Sequence, residues 1–386
     1  MQGNRISRRK FLSLAAATAV AGPFINFGNY KVFAASSTKY SDRAITLVND
    51  SLVMDMLSLF DMGRLFVQNP ALDVDPYNYS RDQLLAVQES GINVFHPAVG
   101  MGRNQFGVMS FMANYNGLVA DHPDLLIRID SVADIDVTRE GRKTGIILGV
   151  QNSEHFHTAL DVRRFYFAGQ RISQLTYNTQ NMIASGSTDR VDGGISDFGE
   201  SVVEAMNDVG MAVDVSHCGD RTTLDAFDLS ARPVLITHSN CRALVPGHPR
   251  CKSDKAIRAM AAKDGVMGIT GVRNFVKNTE PTTIEDYVNH IDHVVRLVGI
   301  EYVGIGTDSD LHGYDALPPE PYKALKEGYK GSYAFRDKID IEGLNHPQKM
   351  YDLTDALIRR GYSDNNIRAI LGENFRRVLG QIWISR

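Results

Sequence analysis

Three stretches each run an apolar strand into one ionisable side chain: Met211-Ala212-Val213-Asp214-Val215-Ser216-His217, Val234-Leu235-Ile236-Thr237-His238 and Tyr302-Val303-Gly304-Ile305-Gly306-Thr307-Asp308. Short apolar runs bounded by polar and glycine residues read as strands buried on both faces. Five more runs read the same way: Ser51–Asp55, Ile92–Phe95, Gly145–Val150, Ser173–Thr176 and Val266–Thr270. Amphipathic helical patterns lie between them, among them Asp197–Val209, Thr222–Leu229, Ser253–Ala262 and Thr283–Val298. Eight strands alternating with helices predict an α/β fold, a parallel (β/α)8 barrel of the TIM type. A doubly wound open sheet is the alternative, weakened because no Gly-x-Gly-x-x-Gly follows the first strand.

Such barrels carry their chemistry at the C-terminal strand ends. His217, His238 and Asp308 end strands five, six and eight, so they are expected to converge above the barrel. Imidazole nitrogens suit zinc, and a carboxylate can ligate a metal or move the proton of an attacking water. Any one of the three alone reads as an ordinary buried or surface residue. Their joint placement is the signal.

The chain has 386 residues, 43% apolar and 22% charged, with a formal charge of −4. Its first 35 residues hold five basic side chains and no acidic one, and removing them leaves about −9. A chain that acidic has no general attraction for nucleic acid or anionic lipid. Small neutral or zwitterionic ligands remain. Cys218, Cys241 and Cys251 form no disulfide framework and read as small buried residues.

Ser7-Arg8-Arg9-Lys10-Phe11-Leu12 precedes a short, weakly apolar run and the small residues Ala34-Ala35. That is signal-peptide anatomy, too short to span a bilayer. The paired arginines resemble the twin-arginine signal, which implies export to the periplasm; an ordinary secretory signal is the alternative. Residues 1–35 are therefore read as a signal and 36–386 as one barrel domain, with no transmembrane anchor after cleavage.

Further residues carry a resemblance. Gly193-Gly194-Ile195-Ser196-Asp197-Phe198-Gly199 and Met206-Asn207-Asp208-Val209-Gly210 lead into the fifth strand. Thr237-His238-Ser239-Asn240-Cys241-Arg242-Ala243-Leu244, Gly304–Asp310 and Leu371-Gly372-Glu373-Asn374-Phe375-Arg376-Arg377 follow in order. The chain resembles the renal-type membrane dipeptidase family, a branch of the amidohydrolase superfamily. The resemblance implies dipeptide hydrolysis by two zinc ions and, in many members, a homodimer. It places His217 and His238 as metal ligands and Asp308 as the proton-handling residue. Arg250 would bind the substrate's terminal carboxylate, a task suited to its fixed donor fork.

The pattern breaks where the other metal ligands should stand. The family's Asp-Gly-His-x-Asp falls on Asp55-Met56-Leu57-Ser58-Leu59, and neither Leu57 nor Leu59 can bind a cation. The bridging glutamate falls on Gln151, an isosteric but neutral residue and a poor zinc ligand. Glu154 is the nearest alternative ligand. The strand-four histidine becomes Tyr177, whose hydroxyl could polarise a carbonyl instead. The expectation is one zinc ion held by His217, His238 and Gln151, with Asp308 and Tyr177 catalytic and Arg250 on the substrate. The substrate would be a dipeptide or small N-acyl amino-acid amide. The competing expectation is a barrel that has lost catalysis and acts as a binding or maturation factor for an exported peptide product.

Overall fold

A computed structural model of the protein describes residues 29–31, 39–60, 79–100, 104–140, 143–329, 333 and 335–383. Residues 1–35, read from the sequence as a signal, lie outside them except for 29–31, which pair antiparallel with 39–41. Eight strands form the barrel: β1 (Met54–Asp55), β2 (Val94–Phe95), β3 (the runs Thr144–Ile146 and Leu148–Val150), β4 (Gln170–Gln174), β5 (Ala212–Asp214), β6 (Ile236–Ser239), β7 (Met267–Ile269) and β8 (Val303–Ile305). All eight lie within or beside the runs read from the sequence.

Neighbouring strands pair parallel from β1 through β5. A parallel bridge between Asp214 and Leu235 carries the order to β6, and β6, β7 and β8 follow. The circle closes where Met56 N donates to the Ile305 carbonyl at 2.9 Å and where Ser58–Leu59 pairs with Ser309–Asp310. Each barrel strand is buried along its length; most read as short apolar runs, whereas β4, Gln170-Arg171-Ile172-Ser173-Gln174, buries polar side chains instead.

The outer layer is made by α1 (Arg81–Glu89), α2 (Gln105–Asp121), α3 (Val132–Arg139), α4 (Ala159–Ala168), α5 (Asp197–Val209), α6 (Asp220–Leu229), α7 (Asp254–Ala262) and α8 (Ile284–Val298). Their ends obey local rules. The Ser196 hydroxyl accepts from Gly199 N at 3.0 Å, Asp197 and Glu200 meet the positive helix start, and Gly210 stops α5 at φ 80°. After β8 the chain forms α9 (Pro319–Gly328), α10 (Lys349–Arg360) and α11 (Asn374–Ile382). Asn374 heads α11 and donates to the carbonyls of Ile300 and Val303, which pins the entry to β8.

Two buried carboxylates latch adjacent strands by the same device. Asp214 Oδ1 accepts from Ser216 N and Thr237 N, and its Oδ2 accepts from Thr237 Oγ1 at 2.6 Å. Asp55 repeats this with Thr307, at 2.8 Å from N and 2.6 Å from Oγ1. The first latch ties β5 to β6 and the second ties β1 to β8. Each therefore fixes the residues that follow directly: His217 and His238 in one case, Asp308 in the other.

Close approach dictates the glycine at 149. A Cβ there would lie 1.8 Å from His96 Nε2. The three cysteines are free and buried. His290 is buried between Cys241 N and the Val276 carbonyl on the inward face of α8.

Candidate active site at the barrel mouth

His217 and His238 meet through their Nε2 atoms, 2.9 Å apart. The other nitrogen of each ring is already committed. His217 Nδ1 lies 2.7 Å from Asn178 Oδ1, an acceptor, so Nδ1 carries the proton. His238 Nδ1 lies 2.8 Å from Thr237 Oγ1. That hydroxyl gives its own proton to Asp214, so it accepts from His238. Both Nε2 atoms are then lone-pair donors aimed at one another. Two lone pairs at that distance repel unless a cation lies between them, either a proton or a metal ion. Burial, reinforced by the nearby Arg250 and Lys252 charges, holds both imidazoles well below their ordinary range and so disfavours the proton. The pair fits one metal ion.

Leu57 is buried and Leu59 half-buried at the positions where a first ion would need ligands. Among the described residues no group of three His, Cys, Asp or Glu side chains comes together to hold a metal. Gln151 gives its amide nitrogen to the Ala98 carbonyl at 3.1 Å, which leaves the amide oxygen as the atom it can offer. Glu154 is exposed and accepts from Asn152 Nδ2 at 3.1 Å.

Asp308 stands in the left-handed region at φ 55°, its N–H on the Leu57 carbonyl at 2.9 Å. Desolvation in the barrel mouth, with Asp55 adding to it and Arg250 opposing it, lifts its carboxyl to about 7. Arg250 is wholly buried. Its Nη1 donates to the Ser216 carbonyl, and its guanidinium lies 5.5 Å from the Phe275 ring centre. Tyr177 stacks on His217 with centroids 4.2 Å apart, and its hydroxyl is 2.6 Å from that of Tyr329.

The structure also brings in residues that the sequence did not single out. Lys252 donates to the carbonyls of Val215 and Cys218, gripping the turn that carries His217. Asn178, beside Tyr177, sets the His217 tautomer. Tyr329 and Tyr333 follow α9 in the connection after β8. His96 follows β2 directly, where the strand-end rule applied to the other strands would have found it. Its Nδ1 lies 2.6 Å from the Met56 carbonyl, and its buried Nε2 rests against Gly149 without a partner. Its charged form would lie near enough to His238 to help lower the pKa of that imidazole. His155 is structural, held between Gln170 and the Asn152 carbonyl.

Comparison with known proteins shows the family and the fold. Residues 104–320 and 332–384 match the family model for membrane dipeptidase, peptidase family M19. An uncharacterized dipeptidase from Schizosaccharomyces pombe is 28% identical over 75% of this chain and 73% of its own length. The dipeptidase verJ of Clonostachys rogersoniana is 31% identical over 64% of this chain, which spans 57% of that relative. Among solved structures, an amidohydrolase from Pseudomonas aeruginosa is 31% identical with a TM-score of 0.75, covering 88% of this chain and 99% of its own. The probable dipeptidase PvdM of the same organism shares the fold at 19% identity and TM-score 0.70, covering 88% and 98%.

Proposed function

This chain belongs to the membrane dipeptidase family, peptidase family M19, and from that premise we propose that it is a hydrolase of dipeptides or small N-acyl amino-acid amides working with one metal ion, zinc by the chemistry of its ligands. The observation that carries this reading is the facing pair of Nε2 atoms on His217 and His238, 2.9 Å apart with both protons held on Nδ1. Neutral imidazoles with oriented lone pairs are what zinc takes. Those two histidines hold the ion, with the Gln151 amide oxygen as the further protein donor. When bound, the ion supplies Lewis acidity toward the scissile carbonyl and the attacking water.

The chain's own groups do the rest. Asp308, with its carboxyl near neutrality, takes a proton from the water and returns it to the departing amine nitrogen. Arg250 anchors the substrate carboxylate and so fixes the carbonyl over the histidines. Tyr177, packed on His217, offers its hydroxyl to the carbonyl oxygen once that hydroxyl exchanges its bond with Tyr329. The setting is export to the periplasm, as residues 1–35 imply, with a homodimer as the expected assembly. Among the described residues no helix is long and apolar enough to cross a membrane.

A second reading has its own support. Leu57, Leu59 and Gln151 all depart from the family at metal positions, while the latches and strand ends around them persist. A barrel altered in that way suits a binding or maturation factor for an exported peptide product. Metal analysis of the purified protein with a panel of L,L and L,D dipeptides decides between them. About one zinc per chain with chelator-sensitive turnover supports the hydrolase. A metal-free protein that turns over none of them supports the binding factor.

A further inference from the structure

Arg250 presents a donor edge that is only half used. Nη1 is fixed on the Ser216 carbonyl. On the other edge, Nε donates to the Tyr333 hydroxyl oxygen at 3.3 Å, while Nη2 is buried with no hydrogen-bond partner. Nε and Nη2 are a side-by-side pair through which a guanidinium grips a carboxylate with two parallel bonds. The same Tyr333 oxygen accepts from Asn178 Nδ2 at 2.8 Å. These donors suit two oxygens of a carboxylate, and one phenol oxygen stands among them.

Tyr333 is braced in that position. Its ring stacks on Tyr329 with centroids 4.9 Å apart and planes at 1°, and Phe275 meets it edge-on at 5.0 Å. Tyr329 is itself tied to Tyr177 by hydroxyls 2.6 Å apart. The pair, which follows α9, covers Arg250 and His217 together.

We propose that Tyr333 is a built-in competitor for the substrate's carboxylate: its hydroxyl holds the Arg250 subsite, and a ligand's terminal carboxylate displaces it along with the stacked Tyr329. The proposal rests on Arg250 being the carboxylate anchor. A neutral phenol gives Arg250 one weak bond and leaves Nη2 without a partner. A carboxylate gives two charge-assisted bonds and satisfies both nitrogens. A ligand ending in an amide or ester lacks that gain and leaves the tyrosines in place. Tyr333 therefore selects for a free terminal carboxylate, and its occupancy lowers the apparent affinity of every ligand by the fraction of time the subsite is closed.

Calorimetric titration of the metal-free full chain with N-acetylglycine and N-acetylglycinamide tests this without requiring turnover. Tyr333→Phe keeps the ring and its stacking and removes the oxygen. N-acetylglycine is expected to bind the variant about five- to tenfold more tightly than the unaltered protein, with little change for the amide. Equal or weaker binding of N-acetylglycine by the variant overturns the proposal. So does failure of both proteins to bind it, which removes the Arg250 anchor as well. Tightened binding in a protein that holds no metal and hydrolyses nothing keeps this proposal and discards the hydrolase reading. Should the variant not fold, amide hydrogen exchange in α9 of the unaltered chain reads the same event. Faster exchange on saturation with N-acetylglycine is expected, and unchanged or slower exchange sinks the proposal.

Discussion

His217 and His238 face one another through Nε2 at 2.9 Å because Asn178 and Thr237 have fixed the proton of each ring on its far side. The tautomers are set by partners that have no part in chemistry. Both lone pairs are accordingly directed at one point before any substrate arrives.

Zinc should raise the melting temperature of the protein in a concentration-dependent way. At a hundredfold excess over Kd the gain is about 2.7 kcal/mol. The rise should vanish in His217→Gln and in His238→Gln. A variant that keeps the full zinc-dependent rise would place the ion elsewhere.

Asp214→Asn puts an amide where Thr237 now delivers its proton. Thr237 then loses its reason to accept from His238, and the buried latch between β5 and β6 is left mismatched. Urea unfolding should show a loss of about 1–3 kcal/mol. Zinc affinity should fall as well, since the lone pair on Nε2 is no longer enforced.

On the proposed mechanism Asp308 sets the pH dependence of the reaction. As a base it must be deprotonated, so kcat/KM should rise with pH through about 7. Asp308→Asn should lower kcat by roughly 10²–10⁴-fold. Stability runs the other way. The folded carboxyl sits near 7 against an ordinary 3.8, so between those values the fold keeps a proton that the unfolded chain has lost. The metal-free protein should lose stability as pH rises across that window, and Asp308→Asn should flatten that trend. A flat profile in the parent protein would contradict the raised value.

Gln151→Glu restores a charge at the family's bridging position. Zinc affinity should rise by on the order of tenfold or more, read by competition with a chromophoric chelator. Adding Leu57→His and Leu59→Asp should then bring the content toward two ions per chain. No change for Gln151→Glu would exclude that side chain from the ligand shell.

Gly149→Ala places a methyl group 1.8 Å from His96 Nε2. The imidazole must move within a packed wall, at a cost of roughly 1–3 kcal/mol. His96→Ala should relieve most of that cost, so the two substitutions should be strongly non-additive in denaturant unfolding. Additive losses would show that the ring and the glycine do not share that space.

The barrel was legible because its signals are local. Apolar runs too short for helices, with amphipathic stretches between them, already define eight parallel strands, and the residue after each strand falls at one end by geometry. Hence His217, His238 and Asp308 could be named from the sequence, whereas Leu57 and Leu59 stood out only against the family resemblance. What remained hidden depends on contacts between distant segments. Tyr333 reaches Asn178 across 155 residues, and no spacing rule connects them. The proton on His238 depends on a chain from Asp214 through Thr237, which exists only when β5 lies beside β6. Residue identities alone therefore determined which side chains stand at the barrel mouth. The tertiary structure alone decided where their protons lie and which donors remain open, because a hydrogen bond is a matter of distance and direction between groups that the sequence keeps far apart.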